Sequence, residues 1–220
     1  CRAEKVEGGW RLYGQKTWCT RAAFCDACFG LFRTDPEAQR HHGLTYFMAP
    51  LEGEGVDVRG FGRLDGDEGF AEVFFDGLFV TDDAVLGAVN NGWRVAMATT
   101  SSERGLTLRS PGRFMAAARQ LNTLRQAQPR DADLDQRCLE VALKAEAYRL
   151  FTDVSVRAMD HGENLGARSS LMKVFWSELD IDLHETAMDL LGPEAAQDNA
   201  WSKGYQFSLA GPIYAGTNEI

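Results

Sequence analysis

The stretch YAGTNEI, Tyr214 to Ile220, sets two near-minimal side chains, Ala215 and Gly216, before a threonine and an asparagine. Small side chains let a ligand approach the backbone closely, and each backbone N–H there is a donor that no side chain obstructs. The pattern therefore suits a loop shaped around a ligand, although a plain glycine turn after a helix would look the same in isolation. Ala215 carries only a methyl group, so any proton acceptor must come from elsewhere. A second candidate is Cys25-Asp-Ala-Cys28, the C-x-x-C spacing of a redox pair or half a zinc site. No second C-x-x-C follows, and His41 and His42 are adjacent rather than helically spaced, so tetrahedral ligation is not expected. Cys25 and Cys28 then read as small hydrophobes lining a strand or its end. His161 and His184 have no partner at metal spacing, and no metal site is expected. Arg104-Gly105 reads as a tight approach to a ligand inside a helical region rather than as its end.

The 220 residues are 45% hydrophobic and 25% charged, with a net charge of -9. A chain this acidic lacks the basic face that nucleic acid or an anionic membrane surface requires. A local basic pocket for a phosphorylated ligand stays compatible with it. Neither a signal peptide nor a long uncharged apolar run is written in the sequence. Five cysteines, an odd number without a framework, suit a reducing cytoplasm.

Two kinds of periodicity divide the chain. Trp10–Thr20 alternates bulky and polar residues around Gly14, which predicts a hairpin turning there. Cys28–Thr34, Gly43–Pro50, Val56–Phe61 and Phe70–Val80 are further short apolar runs separated by turn residues. That spacing predicts an antiparallel β-barrel or sandwich over residues 1–87. From Trp93 the period becomes helical. Leu134, Cys138, Val141, Ala145, Tyr148 and Thr152 form one stripe, with Asp133 as the expected N-cap. Leu171, Val174, Phe175, Leu179, Leu183, Ala187 and Leu190 form another, with Ser169 as cap and Gly192-Pro193 as stop. Arg125–Asp133 is a polar loop between helices. Residues 88–220 are thus expected to form an up-down helical bundle.

Four segments, in order, carry a resemblance. LYGQKTWCTRA is similar to a flavin-facing NGxKxWITN segment, and EVFFDGLFVTDDAVLGAVNNGWRVAM to EVFFDDVRVPxxxLLGxxxxGW. SLMKVFWSELDIDLHETAMDLLGPEA matches a late helix, and IYAGTNEI is similar to IYEGTxEIQR. Together they resemble the acyl-CoA dehydrogenase flavoproteins along essentially the whole chain. The R-x-x-F-G segment with which many members reach a neighbouring subunit's FAD is missing. In this the chain resembles bacterial members that act on branched or steroid side chains, some of them built from two different subunits. The family fold has an N-terminal helical domain, a middle β domain and a C-terminal bundle. The first is absent here, and the resemblance implies a β domain entered part-way and a bundle that stops short.

The resemblance implies α,β-dehydrogenation of an acyl-CoA thioester with FAD as cofactor, as in fatty acid β-oxidation. A base removes the α-proton while the β-hydrogen leaves as hydride to the flavin. The Ala215 backbone N–H would hold the thioester oxygen. Gly216 and Thr217 would meet FAD, Trp18 would stack near the isoalloxazine, and the Thr20 hydroxyl would reach its N5 edge. Many members carry glutamate where Ala215 stands. Others place the base in an "ER" pair on the first helix of the bundle, which here is Glu103-Arg104, so Glu103 is the candidate general base and Glu219 ranks well below it. Arg104 would orient Glu103 or meet a phosphate. The implied partners are an electron-transferring flavoprotein and further subunits of a homo- or hetero-oligomer. The alternative is a non-catalytic subunit that assists a catalytic partner; a flavin oxidase or oxygenase is a third reading.

Overall fold

The computed structural model describes residues 1–103, 110–163 and 165–219, with the backbone alone for 101–103. Two compact units emerge, Cys1–Ser102 and Glu103–Ile220.

The first unit is built on a six-stranded sheet of β1 (Arg2–Val6), β2 (Gly9–Thr20), β3 (Ala27–Arg33), β4 (Leu44–Pro50), β5 (Val56–Phe61) and β6 (Phe70–Thr81). The spatial order is β4-β3-β1-β2-β6-β5, open at both edges, with every pairing antiparallel except β1 with β3. One face buries Leu12, Phe32, Phe47, Val73 and Phe75. The hairpin expected at Gly14 is not there. The chain reverses at Glu7-Gly8, where Gly8 has φ 77°, and Gly14 lies inside an uninterrupted β2. Alternation around a glycine cannot separate a turn from a glycine that gives room to a neighbour. A Cβ on Gly14 would stand 2.8 Å from the Cα of Cys1.

Two irregularities shape the β2–β6 pair. Ala71, Val73 and Phe75 point inward on alternate positions, then Leu78 and Val80 do so after one extra residue. The register shift between Leu12 and Tyr13 absorbs that residue at Gly77, whose φ of 77° suits a bulge. Without it Leu78 and Val80 would swing to the opposite face. The second shift lies between Lys16 and Cys19 and puts Thr17 and Trp18 opposite the single residue Glu72. Helix α1 (Gly92–Glu103) follows the sheet.

The second unit contains α2 (Pro111–Gln126), α3 (Ala132–Asp160), α4 (Ala167–Leu191) and α5 (Ala200–Ser208). Helices α2, α3 and α4 pack on one another, and α5 packs on α4, around Phe114, Leu121, Ala145, Leu179 and Leu183. The stripe expected on α3 is the buried one, from Cys138 through Thr152. Its cap is Asp131, not Asp133: the Asp131 carboxylate accepts from the N–H groups of Asp133 and Leu134, and Asp133 occupies the first turn. Helix α4 begins two residues before Ser169, after Gly166, and the Ser169 hydroxyl bonds back to the Gly166 carbonyl. Gly192 ends α4 at φ 56°, as its glycine-proline pair predicts.

Leu179, Leu183, Ala187 and Leu190 of the stripe expected on α4 are buried, and only its first turns depart from it. Met172, Lys173 and Trp176 are buried, while Leu171 and Phe175 are exposed. On α3, Leu139, Leu143, Leu150 and Val154 form a second stripe opposite the buried one, each more than half exposed. No helix among the described residues is long and apolar enough to cross a membrane.

Candidate functional site

In the first unit the bulge turns Trp18 outward. Its φ is 58°, a left-handed backbone that a bulky residue rarely adopts, and its side chain is 66% exposed. The indole stands edge-on to Phe61 and Phe70, with ring centroids 5.2 and 5.5 Å away. Phe61 and Phe70 face each other across β5 and β6 and stack 6.1 Å apart. Thr20 pairs with Phe70 and is exposed. A large aromatic turned outward by a strained bulge, with Phe61 and Phe70 behind it, makes Trp18 a candidate for ligand contact.

Lys16 lies just before the bulge. It is half-buried, donates to the Leu31 carbonyl at 2.9 Å and sits 4.7 Å from the centre of the Phe32 ring. Burial holds its ammonium below the ordinary lysine range. Cys28 packs on the same core, as expected of a small hydrophobe, and burial pushes its thiol up to about 11. Cys25 is exposed instead.

In the second unit, Ala215, Gly216 and Thr217 come together with Ser169, Ser170, Lys173 and Asn218 around one small pocket. Ala215 has φ 55° and Gly216 φ 91°, so two successive left-handed residues set the loop's curvature. Among the described residues nothing accepts a hydrogen bond from the Ala215 N–H. The loop is fixed on either side of that group. Tyr214 donates its N–H to the Ala210 carbonyl at 3.1 Å and its ring lies 6.0 Å from Trp176. Asn218 donates its N–H to the Pro212 carbonyl at 3.0 Å. The Asn218 side chain accepts from the Lys173 ammonium at 2.7 Å, and its amide donates to the Ser177 hydroxyl at 3.1 Å.

Glu219 is fully exposed. Its own backbone N–H, then the Thr217 hydroxyl, hold its carboxylate below the usual range, and the Lys173 charge adds to this. A base for a weak carbon acid needs the opposite shift. Glu103 is the last residue of α1; its side chain, and Arg104 and Gly105, lie outside the described residues. Asn218 entered the sequence reading only as part of YAGTNEI, and Lys173 was not legible as a site residue, its one signal being a lysine inside the apolar run LMKVFW.

Residues 1–78 match the family model for the acyl-CoA dehydrogenase middle domain, and residues 90–220 that for the acyl-CoA dehydrogenase C-terminal domain. The chain belongs to the acyl-CoA dehydrogenase family. Among curated proteins it is similar to acyl-CoA dehydrogenase IpdE1 of Mycobacterium tuberculosis, 35% identical over 225 residues, covering 96% of this chain and 56% of that protein. Acyl-CoA dehydrogenase FadE34 of the same organism is 44% identical over 103 residues, 47% of this chain and 14% of that one. The chain thus spans little more than half the length of its IpdE1 relative. Among solved structures, the Tcur3481-Tcur3483 steroid ACAD superposes with a TM-score of 0.90 at 22% identity, covering all of this chain and 60% of that one. At that identity the likeness speaks for the fold alone. The acyl-CoA dehydrogenase middle and C-terminal domains expected from four short segments are therefore both present.

Proposed function

We propose that the complete protein is an FAD-dependent acyl-CoA dehydrogenase, with Glu103 as general base and the Ala215 N–H as donor to the thioester oxygen. The observation that carries this reading is the Ala215 N–H, unclaimed among the described residues, in a loop fixed on both sides. A donor held so is ready for the oxygen on which charge develops as the α-proton leaves, and one such donor contributes about 10²–10³-fold in rate. Only proline at this position would remove the donor.

The residues fit FAD. The exposed indole of Trp18, braced by Phe61 and Phe70, offers a flat apolar contact, and the Thr20 hydroxyl follows two residues on. In the second unit Gly216 and Thr217 would offer the cofactor further contacts. Bound FAD supplies the acceptor for the β-hydride. The Glu103 carboxylate would take the α-proton, and the Ala215 N–H would steady the enolate oxygen. An electron-transferring flavoprotein carries the electrons onward. The depressed Glu219 carboxylate leaves Glu103 as the better base.

The uncovered stripe of Leu139, Leu143, Leu150 and Val154 supports an oligomer, homomeric or with a different subunit. The missing R-x-x-F-G segment, in which the chain resembles bacterial members acting on branched or steroid side chains, supports the thioester of a branched or steroid-derived acid as substrate. Titrating the complete protein with straight-chain, branched and steroid-side-chain acyl-CoA esters tests the reading. Bleaching of the flavin absorbance by at least one ester is expected, and a flavin unchanged by all of them overturns it. The methyl side chain of Ala215 also fits a non-catalytic subunit. A colourless protein that binds flavin only with a partner would favour that second reading.

A further inference from the structure

Lys173 is buried at 7% exposure on the inner face of α4, between Met172 and the core residue Trp176. Burying an ammonium is costly, and it persists where a specific partner repays the lost hydration. Here the Lys173 Nζ donates to the Asn218 Oδ1 at 2.7 Å, and the fully buried Ser177 takes the other end of the same amide at 3.1 Å. Ser177 is itself anchored, donating to the Val174 carbonyl at 2.9 Å. Both residues belong to one rigid 25-residue helix, and Asn218 lies one residue past Ala215-Gly216-Thr217. A loop with two left-handed residues in succession does not hold that shape unaided.

We propose that Lys173 is a positioning residue: through Asn218, and with Ser177, it fixes the Ala215-Gly216-Thr217 loop so that the Ala215 N–H is aimed at the thioester oxygen. Lys173 touches no reacting atom. This inference rests on the reading of Ala215 as the oxyanion donor. A donor that wanders by an ångström loses much of its value in the transition state and little in ground-state binding. The loss therefore falls on kcat rather than KM.

The test compares Lys173→Met, Asn218→Ala and Asn218→Asp in the complete, flavin-loaded protein. Asn218→Ala removes the same bond without disturbing the α4 core, so it stands if Lys173→Met does not fold. Asn218→Asp keeps an oxygen for the ammonium. Lys173→Met and Asn218→Ala are expected to lower kcat about tenfold or more with KM changed less than about threefold, and Asn218→Asp to recover most of that loss. Hydrogen exchange of the residue-218 amide, which donates to the Pro212 carbonyl, should quicken about tenfold in the first two variants and not in the third. Unchanged kcat and unchanged exchange in Asn218→Ala would overturn the proposal. So would an equal loss in Asn218→Asp and Asn218→Ala. If the unaltered protein bleaches with no ester, the dehydrogenase reading falls, and the exchange measurement still decides whether the clamp exists.

Discussion

Replacing Trp18 with alanine and, separately, with glycine separates backbone strain from side-chain contact. Both variants lose the two edge-on contacts with Phe61 and Phe70, worth about 0.5–1.5 kcal/mol each, and that loss cancels in the comparison. At φ 58° an L-residue bears roughly 1–2 kcal/mol that glycine avoids. Glycine in turn costs about 0.5–1 kcal/mol in unfolded-chain entropy. The difference leaves Trp18→Gly more stable than Trp18→Ala by about 0.5–1 kcal/mol, or roughly 1–4 °C in Tm for a chain of this length. Thermal and urea unfolding of the two variants measure it. Thr17, the neighbouring residue with ordinary φ, serves as control, and there alanine should beat glycine by about 0.5–1 kcal/mol. Finding alanine the more stable at both positions would refute the bulge geometry, and with it the reason Trp18 faces outward.

Gly77→Ala tests the other bulge. An added Cβ would meet Tyr13 at an ordinary 3.5 Å, so the cost is conformational, about 1–2 kcal/mol, and no loss in denaturant unfolding would reject it. Asp180, 3% exposed, takes two bonds from the Arg113 guanidinium and lies 3.3 Å from His184. Asp180→Ala should cost about 2 kcal/mol, less than a fully buried pair because Arg113 is a third exposed; Asp180→Ala with Arg113→Met should recover part of it. The Cys28 thiol, raised by burial from 9.0 to about 11, holds its proton in the folded chain where the unfolded chain has lost it. Its contribution is thus complete below pH 9 and is lost as pH climbs through about 11. At pH 8 iodoacetamide should label exposed Cys1 and Cys25 on the order of 100-fold faster than Cys28. Equal rates by peptide mass mapping would contradict that burial.

The parts legible in the sequence were those where local pattern and packing agree. Strands β3 to β6 fell within a residue or two of their runs, and the α3 stripe was buried where period 3.6 put it. Gly14 misled because a glycine in an alternating run serves a turn or a crowded neighbour equally well, and only the Cys1 contact decides. Asp131 outranked Asp133 because the cap is fixed by where the backbone leaves extended geometry, which two nearby aspartates do not reveal. In the first turns of α4 the apolar residues go nearly all round the helix. Periodicity there cannot choose the inner face, and Leu171 and Phe175 were exposed while Lys173 was buried. At the site, residue types pointed to Trp18 and to Ala215-Gly216-Thr217. The left-handed backbone at Trp18 and Ala215, and the hold on Asn218, are products of long-range pairing that no short window contains.

The most direct test of the central claim is a single-turnover measurement on the complete, flavin-loaded protein carrying Glu103→Gln. Mixed anaerobically with an ester that bleaches the unaltered protein, the variant should bind it, shown by a shift in the flavin spectrum. It should then stay oxidised, its bleaching slowed about 10²-fold or more, in keeping with removal of a general base. Bleaching at the unaltered rate would mean that the α-proton goes elsewhere and that Glu103 is not the base.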